Sequence, residues 1–93
     1  MSEMLHQLEK IIVDRKANPK EGSYTTSLFA EGRPKIAQKV GEEATEVIVA
    51  ALAQSADEQI GELADLFYHT LVLMADMGIT LADITAELEK RHK

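Results

Sequence analysis

Apolar residues return at helical intervals along almost the whole chain, and no stretch shows sustained every-second-residue alternation. Leu5, Leu8, Ile12 and Val13 form a stripe that predicts a first helix from about Ser2 to Ala17. Asn18-Pro19 ends it, because the residue before a proline is driven out of the helical region. Residues 18–33 read as a polar loop around Ser23-Tyr24-Thr25-Thr26-Ser27-Leu28-Phe29, with room for a short turn of helix. Pro34 suits the first position of a second helix, which the pattern extends to about Gln54. Ser55 or Asp57 caps a third helix, which runs to Met77 and stops on Gly78, a residue suited to a left-handed cap. Thr80 with Asp83 resembles a capping box and opens a fourth helix to the C-terminus. The expectation is an all-α fold with four main helices, one domain over residues 1–93.

The helical faces add a prediction about assembly. In the second helix Ile36, Val40, Ala44, Val47 and Ala51 define the expected buried stripe, with Glu43 at its edge. In the third, Ile60, Leu63, Ala64, Phe67, Leu71 and Met74 form one apolar face, widened by Leu66, Leu73 and Met77. A helix apolar around so much of its circumference must be covered on several sides. A chain of 93 residues has little bulk to do that. A homodimer built on the second and third helices, completing the helical bundle, is therefore expected.

Composition removes several classes of function. Ten basic against sixteen acidic residues leave a net charge of −6, unsuited to clamping nucleic acid, which needs a basic stripe against the phosphates. The absence of cysteine excludes disulfides, thiolate zinc sites and cysteine nucleophiles. No uncharged apolar run approaches the roughly 18 residues of a membrane span. The first residues lack a basic region followed by an apolar core, so a cytoplasmic location is expected.

The acids are not scattered. The second helix carries Glu42, Glu43 and Glu46, and the third carries Glu62 and Asp65. Glu43 with Glu46, and Glu62 with Asp65, are pairs at i, i+3, which puts both carboxylates of each pair on one helix face. A single Glu-x-x-Glu is more often a solvated surface. Two such pairs on neighbouring helices make a four-carboxylate cage whose hard oxygens suit Mg²⁺ or Mn²⁺ better than zinc. Like charges stacked this way repel, and a cation between the helices would offset the repulsion. His69 follows Asp65 by one turn and reads first as a surface histidine bonded to that carboxylate, with metal ligation, proton carriage or support of Asp65 behind a metal as alternatives. Lys35 and Lys39, one turn apart, are either ordinary partners of nearby acids or contacts for phosphate oxygens. Arg33, at the start of the second helix, where the helix dipole also favours anions, is a third candidate for that role.

Two runs carry a resemblance. Gly32-x-x-Lys35-Ile36-x-x-Lys39-x-Gly41-Glu42-Glu43-x-x-Glu46 and Glu62-Leu63-Ala64-Asp65-Leu66-x-Tyr68-His69, with the upstream Ser23-Tyr24-Thr25 loop, resemble the phosphoribosyl-ATP pyrophosphohydrolases. That family belongs to the all-α, MazG-like nucleoside triphosphate pyrophosphohydrolases. The resemblance implies Mg²⁺-dependent hydrolysis of the α–β phosphoanhydride of phosphoribosyl-ATP, giving phosphoribosyl-AMP and pyrophosphate, the second step of histidine biosynthesis. It also implies a dimer. By match of motif, Glu43, Glu46, Glu62 and Asp65 would be the metal ligands and Glu42 a base or supporting acid. Arg33, Lys35, Lys39, Tyr24 and His69 would serve the substrate. Some relatives are fused to the cyclohydrolase of the next step; here that step is expected from another chain.

Two other functions fit the same residues. One is a house-cleaning dNTP pyrophosphohydrolase with the same cage and a different base-and-sugar pocket. The other is a helical assembly module without chemistry, its acids merely solvated.

Overall fold

The computed structural model describes residues 3–92. Its elements, in order, are α1 (Glu3–Ala17), α2 (Tyr24–Glu31), α3 (Arg33–Ala53), α4 (Ala56–Met77) and α5 (Leu81–Arg91). There is no strand among the described residues, so the fold is all-α. Ser2, where the first helix was predicted to begin, lies outside the described residues.

The helix boundaries follow local chemistry. Ser55 accepts a hydrogen bond from the Glu58 backbone while the Glu58 side chain returns to Ser55, closing a capping box at the head of α4. Gly78 ends α4 in the left-handed region. Thr80 and Asp83 form the box that opens α5, and the Glu9 carboxylate of α1 accepts a further bond from the Leu81 N–H. The Gln59 amide donates to the carbonyls of Ala50 and Gln54, closing the tip of the α3–α4 hairpin.

One element departs from the sequence reading. The segment read as a polar loop contains a two-turn helix, α2, set between two glycines at positive φ, Gly22 and Gly32. Ser23 caps it by accepting from the Thr26 N–H, and Leu28 is buried beneath it. Eight residues are too few for an amphipathic pattern to stand out, and such a helix is held by packing, not propensity. The start of the predicted second helix also shifts slightly: Arg33 precedes Pro34 inside α3.

The core gathers Ile12, Leu28, Ile36, Leu71, Val72, Met74 and Leu81 from all five helices. Three helices turn partly away from their predicted faces. In α1, Ile12 is buried while its neighbour Val13 is exposed. In α3 the buried row is Ile36, Glu43 and Ala50, so Glu43 sits in the inward face and not at its edge; Ala51 is exposed. In α4 the inward side holds Leu71 and Met74, as predicted, together with His69 and Val72, whereas Ile60, Leu63 and Phe67 of the same predicted face stay exposed. The half of the α3–α4 hairpin nearer its tip thus leaves apolar side chains of both helices exposed.

Candidate active site

α3 and α4 pack along each other and bring the two acid pairs face to face. One carboxylate oxygen each of Glu43, Glu62 and Asp65 lie within 4.8 Å of one another. Glu46 lies beside this group, near enough to raise the pKa of both Glu43 and Glu62. A groove of about 510 Å³ opens beside them, lined by Glu46, Glu58, Glu62 and Asp65 together with Val49, Gln54 and Gly61. No lysine or arginine is among its lining residues. A second cleft of about 380 Å³ lies on the α3 side and holds Lys39, Glu42, Glu43, Thr45 and Glu46.

The electrostatics show groups in want of a counter-charge. Glu43 is only 9% exposed, and its Oε2 is buried with no hydrogen-bond partner. Burial pushes its carboxyl above the usual range, and Glu46 and Asp65 add to the effect while His69 opposes it. Glu62 is raised as well, first by its hydrogen bond with Glu46, then by burial and by the charges of Glu46, Asp65 and Glu43. An isolated ionised carboxylate is costly to bury, so this arrangement asks for a cation or a proton.

His69 is not the surface residue expected from the sequence. It is 7% exposed, because α2 folds over it. Its Nδ1 lies 2.8 Å from the backbone carbonyl of Asp65, one turn earlier, and its Nε2 lies 3.1 Å from the Tyr24 hydroxyl. A carbonyl only accepts, so Nδ1 carries the proton and donates. Nε2 is thereby left to share its hydrogen bond with the Tyr24 hydroxyl. Beside this link, Thr25 and Tyr68 join through their hydroxyls, and the Tyr24 and Tyr68 rings stack. The partnership of Tyr68 with Thr25 has no local sequence signal, since 43 residues separate them.

The basic candidates divide. Lys39 borders the acid cluster across the second cleft. Lys35 is exposed one turn earlier on α3. Arg33 lies roughly 15 Å before Glu43 along the helix. There it is engaged with Asp76, its Nε 2.7 Å from the carboxylate and its Nη2 2.8 Å from the backbone carbonyl. The structure does not bring Arg33 to the acids.

Comparison with known proteins gives this arrangement a family. The model of the phosphoribosyl-ATP pyrophosphohydrolase family matches residues 5–92. A protein from Sulfurisphaera tokodaii named phosphoribosyl-ATP pyrophosphatase is 53% identical over 99% of this chain and 98% of its own length. One of the same name from Paramagnetospirillum magneticum is 52% identical over 97% of this chain and 83% of its own. A histidine biosynthesis bifunctional protein, HisIE, from Caldanaerobacter subterraneus is 53% identical over 98% of this chain, a match covering 44% of that longer protein. A match running through all five helices and both acid motifs places this chain in the phosphoribosyl-ATP pyrophosphohydrolase family.

Proposed function

We propose that the chain is a hydrolase cleaving phosphoribosyl-ATP to phosphoribosyl-AMP and pyrophosphate, the second step of histidine biosynthesis, at the acid cluster between α3 and α4. The observation that carries this reading is the convergence of Glu43, Glu62 and Asp65 around a buried, unpartnered carboxylate oxygen. Converging hard oxygens with no protein cation in their groove are a donor set that fits Mg²⁺, or Mn²⁺ in its place. Glu43, Glu46, Glu62 and Asp65 would hold the ion. Bound there, it would neutralise phosphate oxygens and the charge developing on the leaving pyrophosphate.

The chain's own residues do the rest. Water attacks the α-phosphorus, the bond from it to the bridging oxygen breaks, and the water's proton passes to a carboxylate. Glu42 and Glu46 border the cleft on the α3 side and are placed to orient that water. Lys39, in the same cleft, meets phosphate oxygens, with Lys35 one turn outward. The acidic groove itself would repel a triphosphate without the cation, which ties substrate binding to metal binding. No helix among the described residues is long and apolar enough to cross a membrane, and this reading places the enzyme in the cytoplasm on a small nucleotide, not on nucleic acid.

The working unit in this reading is a homodimer. Ile48, Leu52, Ile60, Leu63 and Phe67 are all exposed on the hairpin, Leu52 at 83% and Ile60 at 65%. Covering such a face against a second copy gains about 25 cal/mol per Å² of apolar surface. Leu63→Asp tests it by sedimentation; Leu71 is already buried within one chain and tests only the fold.

The deciding assay is pyrophosphate release from phosphoribosyl-ATP with and without Mg²⁺, beside dUTP and dCTP. Metal-dependent release from phosphoribosyl-ATP alone is expected. Preference for a dNTP would transfer the reading to nucleotide house-cleaning, and no release from any of them would leave an assembly module.

A further inference from the structure

The Tyr24–His69 link does something the acid cage does not explain. Tyr24 opens α2, whereas His69 lies 45 residues later in α4. A buried histidine in a core of this size is expensive unless both nitrogens are satisfied, and here both are. The second partner is the backbone carbonyl of Asp65, the residue whose carboxylate meets those of Glu43 and Glu62. That carbonyl also lies within the hydrogen-bond ladder of α4, so the imidazole adds a second donor at the turn carrying Asp65. Two rings, Tyr24 and Tyr68, pack edge-on against His69 and hold it in one orientation.

We propose that Tyr24 and His69 are positioning residues: the hydrogen-bonded path from the Tyr24 hydroxyl through the His69 ring to the Asp65 carbonyl fixes the α4 turn so that Asp65 and Glu62 meet Glu43. α2 thereby becomes part of the cation site without touching the cation. With both nitrogens spent inside the protein, His69 acts through Asp65 and not on substrate. The inference rests on the proposed metal reading of the acid cluster.

The test uses the full chain and Mn²⁺ alone as probe, with binding followed by calorimetry and by the spin-resonance signal of free Mn²⁺. Tyr24→Phe keeps the ring and removes only the hydroxyl. His69→Asn keeps a donor near the Nδ1 position and removes the partner of the Tyr24 hydroxyl. His69→Leu removes both bonds. The expected result is Mn²⁺ affinity about ten-fold weaker in Tyr24→Phe and weaker again in His69→Leu, with His69→Asn near Tyr24→Phe. The Tyr24→Phe, His69→Asn double variant should be no weaker than either single one, because both cut the same path. Variants that melt at lower temperature yet bind Mn²⁺ as the wild type does would make the link a fold contact only and overturn the proposal. Additive losses in the double variant would do the same. A wild-type chain that binds no Mn²⁺ would sink the metal reading itself, and this inference with it.

Discussion

The two ends of α4 handle acid in opposite ways. Near its C-terminus, Asp76 is 17% exposed and surrounded by protein cations: Arg33 at 2.7 Å and Lys16 at 3.9 Å. Lys16 also donates to the carbonyls of Ala75 and Asp76, where the helix dipole favours positive charge, and its ammonium lies over the Phe29 ring. That knot joins α1, α3 and α4 and leaves nothing wanting. Three turns earlier, Asp65 and Glu62 meet Glu43 and Glu46 with no lysine or arginine in the groove between them. The difference teaches which acids hold the fold and which stand ready for something else. Burial and the neighbouring acids raise the pKa values of Glu43 and Glu62, and that strain is what a divalent cation would relieve.

The largest effect should come from breaking the unneutralised end. Asp65→Asn or Glu46→Gln should lower metal-dependent turnover by about 100-fold or more, close to 2.7 kcal/mol of transition-state stabilisation. Their circular dichroism should stay helical. Near wild-type turnover in both at ordinary Mg²⁺ would remove the cage from the mechanism. Glu43→Gln sharpens the contrast, because it should also raise the melting temperature of the metal-free chain by removing a buried charge.

The neutralised end should respond in the reverse sense. Asp76→Asn should cost stability, on the order of 1 kcal/mol for a partly exposed pair reinforced by backbone contacts. Mn²⁺ affinity should not change. A variant that loses Mn²⁺ binding while keeping its melting temperature would dissolve the distinction between the two ends.

The smallest effect is in pH. The raised carboxyls of Glu43 and Glu62 mean that the folded, metal-free chain holds more protons than the unfolded one at pH values above the ordinary carboxylate range near 4.3. Their contribution is therefore full below that range and is lost as pH rises through the raised folded values. Metal-free melting temperature should fall between pH 5 and pH 7.5, and Glu43→Gln should fall less. Asp83 runs the other way: the Thr80 backbone N–H holds its carboxyl below the usual value. Its capping contribution persists until pH drops through that lowered folded pKa. Melting curves across pH with chelator present would show both trends, and a flat wild-type profile would count against the strained cluster.

Much of this was legible from residue order alone, for a local reason. Caps and helix phase are decided within four residues. Ser55 with Glu58, Thr80 with Asp83, and Gly78 could therefore be read as boundaries, and the i, i+3 acids as facing one way. Even the unusual breadth of apolar surface on α4 was visible. What residue order could not decide was which part of that broad apolar surface turns inward. That choice depends on where α1, α2 and α5 dock, and they buried Leu71 and Met74 with Val72 and His69 and left Ile60, Leu63 and Phe67 in the open. The same docking set Glu43 in the inward row of α3, tied Arg33 to Asp76, and carried Tyr24 across to His69. Periodicity is a property of one helix, whereas burial and long-range hydrogen bonds belong to the packing of several, and only the assembled fold decides them.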